Sequence, residues 1–420
     1  MDTIFAVSSG APPAAIAVLR VSGPRAAGAL QALAGQLPPP RRARALTLRD
    51  STGGELDRAL VLWLPGPGTA TGEDVAELHL HGGRAVVAAV EAALAQLDGL
   101  RKAEPGEFTR RAFAHGRIDL AEAEGLADLL AAETDLQRRT AQAMAGGALS
   151  RQVEDWRSRV LLLGAHVEAV LDFADEDDVA HLPPDFRARV GALRGEIEEW
   201  LARPRPEALR EGYRVVLAGP PNAGKSSLFN ALVEHEAAIT AATPGTTRDL
   251  LERSVSLAGV PFTFVDTAGL RDDASDAVES EGIDRARSAL DRADLVLWLG
   301  AEGAGPRGAW EIAAKSDLGI AKRHARCSVS AATGAGMGEL KSLLIQHART
   351  ALPAPGEAAL NARQHDTLSK VSEALRGNST NPLIIAEEFR QARIELDRLT
   401  GRASTEEMLD ALFGRFCIGK

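Results

Sequence analysis

The eight residues Gly219-Pro-Pro-Asn-Ala-Gly-Lys225-Ser226 keep the spacing G-x-x-x-x-G-K-[ST], an arrangement that wraps a polyphosphate. Glycines let backbone N–H groups close around phosphate oxygens, and the N-terminus of a following helix favours the negative charge. A strand-like run, RVVLA, precedes the loop and a helix-like run, SSLFNALV, follows it. Asn222, Ala223, Gly224, Lys225, Ser226 and Ser227 are therefore assigned to nucleotide binding. Lys225 reaches the outer phosphates, and the Ser226 hydroxyl completes a Mg²⁺ shell. Downstream, Asp266-Thr267-Ala268-Gly269 follows the run FTFV, where a Mg²⁺-coupled carboxylate and a γ-phosphate-sensing backbone belong. Between the two, Gly245-Thr246-Thr247-Arg248-Asp249 supplies switch threonines, with Thr246 and Thr247 against the nucleotide and Thr247 on Mg²⁺.

Three motifs in this order resemble a GTPase of the translation-factor-related class. The guanine-reading motif N-K-x-D is present as Ala314-Lys315-Ser316-Asp317, without its Asn. Asp317 still offers two acceptors to the guanine N1–H and amino group, and Lys315 packs its stem on the base. One lost polar contact is worth about 0.5–1.5 kcal/mol, so the expectation is weaker nucleotide binding rather than none. Ser330-Ala331 resembles the last guanine loop, whose backbone N–H meets the base O6. Leu270 stands after D-T-A-G, where Ras-like proteins carry a water-orienting Gln. An apolar side chain cannot polarise water, so the catalytic group must come from elsewhere.

The elements that position these groups are legible from period and punctuation. The chain has 420 residues, about three domains at roughly 150 residues each. Short apolar runs at 15–21 and 59–64 and an alternating run at 77–81, followed by a helical stretch at 85–97, point to a small α+β domain. Val153, Trp156, Val160, Leu163, Val167 and Val170, then Val190, Leu193, Ile197 and Trp200, recur at three- and four-residue steps as on amphipathic helices. Strand-like runs at 214–218, 262–265, 295–299 and 325–329 are separated by longer segments, the pattern of a parallel sheet wrapped by helices. After Pro353 and Pro355 the helical period returns. A tail of that length is small for its own core, so it is expected to pack against 119–203, giving one helical domain interrupted by the α/β unit. A net charge of −10 argues against a protein coated for non-specific nucleic-acid binding, and two cysteines against a disulfide scaffold. No stretch reaches the ~18 apolar residues of a membrane span, so a cytoplasmic protein with no membrane association is expected.

Residues outside the α/β unit narrow the reading. Arg20-Val-Ser-Gly23, Thr71-Gly-Glu-Asp-Val-Ala-Glu77, His81-Gly-Gly83, Pro105-Gly-Glu-Phe-Thr109, Arg111-Ala-Phe113, Asp119-Leu-Ala-Glu-Ala-Glu124 and the terminal Phe416-Cys-Ile-Gly-Lys420, with the G motifs, resemble the MnmE (TrmE) family of tRNA-modification GTPases, within the TrmE-Era-EngA-like class. The resemblance implies a multidomain α+β and α/β fold. Its parts are an N-terminal α+β folate-binding and dimerisation domain (1–118), a discontinuous all-α helical domain (119–210 and 351–420) and an inserted Ras-like P-loop α/β G domain (211–350). It implies that 5-formyltetrahydrofolate, or a related one-carbon folate, meets Arg20, Glu77, Arg117 and Lys420, with Arg117 standing where many relatives have Lys. It also implies a K⁺ ion in place of an arginine finger, held by Asn222 and the backbone carbonyls of Ala241, Thr243 and Thr246, with Ala241 replacing a family Thr. Glu279 matches the family's water-polarising Glu and is the catalytic candidate, and Cys417 is a candidate for a thiol role. The implied activity is K⁺-dependent hydrolysis of GTP with Mg²⁺, by a homodimer joined to the FAD-containing partner MnmG in a heterotetramer. That assembly installs an aminomethyl-type group at C5 of the tRNA wobble uridine.

Other readings of the same residues stay open at this point. The G motifs fit a ribosome-assembly GTPase, which has no use for Arg20, Glu77 or Lys420. Ala314 taken at face value fits a folate-binding scaffold with an impaired G domain. His79 and His81 share a strand face, yet no third ligand lies nearby in sequence, so a packed turn is preferred to a Zn²⁺ site. Cys327 reads as a buried small hydrophobe.

Overall fold

A computed structural model describes residues 2–172, 181–204, 207–234, 237–238, 251–267, 287–403, 405–414 and 416–419. Its elements run β1 (Thr3–Val7), β2 (Ile16–Ser22), α1 (Ala26–Ala34), β3 (Arg44–Arg49), β4 (Glu55–Leu64), β5 (Val75–His81), α2 (Arg84–Ala95), β6 (Leu100–Lys102), α3 (Glu107–Ala114) and α4 (Leu120–Ala131). Next come α5 (Asp135–Ala145), α6 (Ala148–Asp172), α7 (Phe186–Leu201), α8 (Glu207–Glu211), β7 (Tyr213–Ala218), α9 (Lys225–Val233), β8 (Ala237–Ala238), β9 (Leu251–Leu257) and β10 (Val260–Asp266). The chain closes with β11 (Leu295–Trp298), β12 (Trp310–Ala314), β13 (Cys327–Val329), α10 (Met337–Ala351), α11 (Ala362–Ala374), α12 (Pro382–Thr400) and α13 (Glu406–Phe413). The mixed α+β and α/β class read from the sequence is the class observed. Contacts divide the chain into one unit of Met1–Ala127 with Asp397–Lys420 and another of Asp128–Leu396.

In the first unit the sheet order is β3-β4-β5-β2-β1-β6. Period-two alternation decides its faces. Leu19 and Val21 of β2, Ala59, Val61 and Trp63 of β4, and Leu78 and Leu80 of β5 share a core with Leu30 of α1 and Val90 of α2. The intervening residues Ile16, Val18, Arg20, Leu60, Glu77 and His79 occupy the opposite face, where Ile16 is 58% and Leu60 42% exposed. At the β1 end α3 covers that face, packing Phe108 with Ile4, Ala6 and Ala103. The strand β1 was not singled out in the sequence reading; its apolar run, Ile4 to Val7, is only four residues long, although Ser8-Ser9-Gly10 bounds it.

The C-terminal residues complete this unit. Leu409, Phe413 and Phe416 cluster with Leu120 and Ala123, and Ile418 bridges Pro105 in antiparallel fashion. Two glycines let the backbones approach. Gly106 has φ +70 and a Cβ there would lie 2.1 Å from the Phe413 carbonyl oxygen. Gly419 has φ +94 and a Cβ would lie 2.0 Å from that of Val7.

In the second unit α6 and α7 realise the expected helical stripes, with Val153, Trp156, Val160, Leu163, Val190, Leu193 and Ile197 buried. Phe186 of α7 packs on Phe389 of α12, ring centroids 5.8 Å apart, and Ser372 of α11 donates to Glu198 of α7 at 3.4 Å. The returning helices therefore bury against α7. The sheet order is β13-β12-β11-β7-β10-β9-β8. β7 is central and parallel to both β10 and β11, whereas β9 is antiparallel to β10. Leu217, Phe262, Leu297, Ile312 and Leu340 fill the core around it.

Replacing Gly106 by Ala should destabilise the protein by about 1–3 kcal/mol, since a left-handed backbone and a carbonyl clash both penalise the Cβ. Urea unfolding measures it, and an unchanged midpoint would mean that the terminal segment does not pack on this loop.

Candidate functional site

Four loops in the second unit leave the carboxyl ends of parallel strands, the edge at which open α/β sheets bind ligands. β7 runs into Gly219–Ser226, β10 ends on Asp266, β12 ends on Ala314, and β13 is followed by Ser330. Gly224, at φ +99, starts α9, so the loop residues precede a helix N-terminus as anion binding requires. Lys225 is 6% exposed and crosses under the loop, its Nζ donating to the carbonyl oxygens of Gly219 and Pro220 at 2.9 Å each. Ser226 and Ser227 are exposed, and Asp266 is fully buried. Thr267 donates its hydroxyl to the Leu217 carbonyl at 2.8 Å, tying the strand ends together.

Beside this loop lies a cavity of about 190 Å³, lined by Gly224, Ser227 and Leu228 on one side and by Ala314, Lys315, Asp317 and Leu318 on another, with Val329, Ala331 and Ala332 completing it. Three sequence motifs thus meet around one space. Lys315, at φ +60, sends its ammonium to the Asn222 carbonyl at 2.6 Å, joining the loop after β12 to the loop after β7. Asn222 is itself at φ +59 and exposed. Asp317 is exposed beside the cavity. Ser330 is fully buried and receives the Thr333 N–H at 3.2 Å on its hydroxyl, which holds the turn that presents Ala331.

In the first unit Arg20 and Glu77 face one another in the β2–β5 register. Arg20 donates to Glu77 Oε1 from Nε at 3.0 Å and Nη2 at 2.9 Å, and its guanidinium lies 5.8 Å from the Phe108 ring centroid. The pair keeps 24% and 19% side-chain exposure, open enough for a ligand yet dry enough for its charges to matter. His79 Nε2 lies 3.7 Å from Glu77 Oε2; that nitrogen is buried and has no hydrogen-bond partner among the described residues. His81 instead turns to Asp57, with Nδ1 2.7 Å from Oδ1, so the two histidines part. The Gly106 N–H donates to the Cys417 carbonyl at 3.5 Å, which anchors the exposed Cys417 on the loop leading to Phe108. Arg117 is exposed and lies against Gly72, its Cγ 3.3 Å from where a Cβ would stand. A carboxylate and a guanidinium on one partly exposed sheet face suit a flat heterocycle with N–H donors. Burial pushes the Cys327 thiol up, with the Glu339 carboxylate acting in the same direction.

Sequence reading missed the support beneath this pair. Arg111 donates to Glu73 at 3.1 Å and to Glu107 at 3.0 Å, while Arg101 binds Glu107 at 2.6 Å and also Asp2. Ser22 links Glu73 and Thr71 at 2.8 and 2.7 Å. The separate stretches at 71–77, 105–109 and 111–113 are thus one charge network that fixes α3, and with it Phe108. Opposite charges three or four residues apart, as in Glu107 and Arg111, were the available signal. Ala241, Thr243, Thr246, Thr247, Ala268, Gly269, Leu270, Glu279 and Lys420 lie outside the described residues.

Residues 3–117 match the family described as GTP-binding protein TrmE N-terminus, and residues 120–417 that described as MnmE helical domain. The tRNA modification GTPase MnmE of Novosphingobium aromaticivorans is 64% identical, with all of each chain covered. That of Erythrobacter litoralis is 61% identical, again with all of each chain covered. Among solved structures, the G domain of the T. maritima FeoB iron transporter covers 32% of this chain and 98% of its own, at 24% identity and a TM-score of 0.23. No helix among the described residues is long and apolar enough to cross a membrane.

The network carries a pH dependence. Burial raises the Glu107 carboxyl, but hydrogen bonds from Arg101, the Glu104 N–H and Arg111 outweigh it and hold the group below 4.5, the ordinary glutamate value. A depressed carboxyl contributes stability that is complete above the unfolded value and is lost as pH falls below it. Glu107→Gln should therefore cost about 1.5–3 kcal/mol near neutral pH and less at pH 3. Urea titrations at both values check this; an equal loss at both would mean that Glu107 acts by packing alone.

Proposed function

The chain belongs to the MnmE family of tRNA modification GTPases, and from that premise we propose that its GTP hydrolysis is potassium-dependent and drives C5 modification of the tRNA wobble uridine. It works in the cytoplasm as a homodimer joined to the FAD-containing partner MnmG in a heterotetramer, and the product is an aminomethyl-type substituent. The observation that carries the reading is the cavity at the strand ends, where the phosphate loop, Lys315-Ser-Asp317 and Ala331 converge.

The residues divide the work by chemistry. Asp317 accepts from the N–H and amino groups that guanine has and adenine lacks in that arrangement, and Lys315 backs the base while holding the Asn222 carbonyl. Ala314 offers no polar group, so affinity rests more on those two. The phosphate chain lies along Asn222–Ser227, with Lys225 turning its ammonium from the loop carbonyls to the outer phosphate oxygens. Mg²⁺ would be held by Ser226 and Thr247, with Asp266 behind them, and oxygen donors of this kind suit a hard cation. K⁺ would be held by Asn222 and the carbonyls of Ala241, Thr243 and Thr246, supplying positive charge where an arginine finger would otherwise stand. Glu279 orients the attacking water, since Leu270 cannot. Thr246, Ala268 and Gly269 complete the nucleotide contacts.

The reading assigns 1–118 to folate binding and dimerisation, 119–210 with 351–420 to the helical domain, and 211–350 to the G domain. The half-exposed sheet face with Ile16 and Leu60 supports an apolar partner surface there. Arg20 and Glu77, with Arg117 and Lys420, would hold 5-formyltetrahydrofolate or a related one-carbon folate, which supplies a one-carbon unit when bound. Cys417 carries an exposed thiol, and its carbonyl accepts the Gly106 N–H at the start of α3.

Two measurements test the proposal. GTP turnover in KCl should exceed that in NaCl by at least about tenfold, and Glu279→Ala should keep GTP binding while losing most of the K⁺-stimulated rate; equal rates in the two salts would remove the cation from the mechanism. Nucleoside analysis of tRNA from cells lacking the gene should show loss of a C5-substituted wobble uridine, and an unaltered profile would remove the pathway.

A further inference from the structure

Glu77 has two carboxylate oxygens, and Arg20 engages one of them. Both Arg20 donors fall on Oε1. Oε2 faces His79 Nε2 across 3.7 Å, beyond hydrogen-bond reach. That imidazole nitrogen is shut off from water and is unsatisfied among the described residues. A buried polar atom left in that state is uncommon, and it marks a place that another arrangement completes. The strands flanking His79 offer no side-chain acceptor, because its register partners are Val18 on β2 and Leu60 on β4. The nearby ring on α3 is Phe108, which lies over Arg20. Glu77 is thus the acceptor within reach of His79.

We infer that His79 is a positioning residue for the Glu77 carboxylate, engaged when a ligand parts Arg20 from Glu77. This rests on the folate reading above. A ligand with adjacent N–H and amino groups competes for Glu77, and its ring or formyl carbonyl oxygen competes for Arg20. Once the guanidinium turns to that oxygen, the carboxylate loses both donors that orient it. A shift of roughly 0.7 Å brings Oε2 to ordinary N–H···O distance from His79 Nε2. Held there, the carboxylate keeps one plane and presents its remaining lone pairs to the pterin edge. The device requires the tautomer with the proton on Nε2. His79 then satisfies its own buried nitrogen only in the liganded arrangement, which favours that arrangement.

The test is equilibrium dialysis of 5-formyltetrahydrofolate against the full chain, with unfolding midpoints measured alongside. His79→Phe keeps a ring without a donor and should weaken binding about tenfold. His79→Gln keeps an N–H donor and should bind within about twofold of the unaltered chain. Should His79→Phe fail to fold, His79→Leu repeats the test with a smaller side chain. Unchanged affinity in the donor-less variant, or equal loss in His79→Gln, overturns the positioning role while leaving folate binding intact. No binding by the unaltered chain overturns the folate reading and this proposal together.

Discussion

A single buried strand governs the nucleotide site. β7 is hydrogen-bonded on both sides, to β10 and β11, and Val215, Val216 and Leu217 along it are fully buried. Because its neighbours run parallel to it, their loops emerge at the same edge as the phosphate loop. Reverse one of those strands and its motif would leave from the opposite edge of the sheet. The Lys315–Asn222 hydrogen bond and the Thr267–Leu217 hydrogen bond then fasten the loops to each other and to that strand. Chemistry at the rim depends on backbone direction in the core.

The first unit solves a different problem, which is how to keep charges on a sheet face that also carries Ile16, Val18 and Leu60. Arg20 and Glu77 satisfy one another across two strands, and Phe108 covers the guanidinium. Phe108 stays in place because α3 is tied by Arg111 and Glu107 to Glu73, Arg101 and Asp2. Half-buried charges of this kind are expensive to separate and therefore directional. The pair remains partly exposed, and in the proposed reading the network serves rigidity while the pair serves recognition.

Ala314 and Leu270 show where this chain departs from the usual GTPase chemistry. With Ala314 at the start of the stretch, Lys315 and Asp317 are its polar side chains that line the cavity. In the proposed mechanism a Leu after D-T-A-G, where Ras-like proteins carry a water-orienting Gln, leaves that task to Glu279. Under the proposed mechanism both changes place more weight on charge, from Lys315 in one case and from a bound cation in the other.

The sequence alone determined what depends on local spacing. The phosphate loop is legible because one turn and one helix start make it, and the strands at 213–218 and 260–266 because their apolar runs are short and bounded. The helical stripes of α6 and α7 follow from a period that neighbouring residues impose on each other. Family membership was legible in stretches that have no local chemical meaning by themselves. What only the tertiary structure decided is which of those stretches meet. Nothing in the spacing of Asp2, Glu73, Arg101, Glu107 and Arg111 says that they form one network, and alternation placed His79 and His81 on one face although His81 turns to Asp57. The unsatisfied nitrogen of His79 is likewise invisible in sequence, because burial and hydrogen-bond satisfaction belong to the surroundings of an atom, and those surroundings include residues as distant in the chain as Val18 on β2.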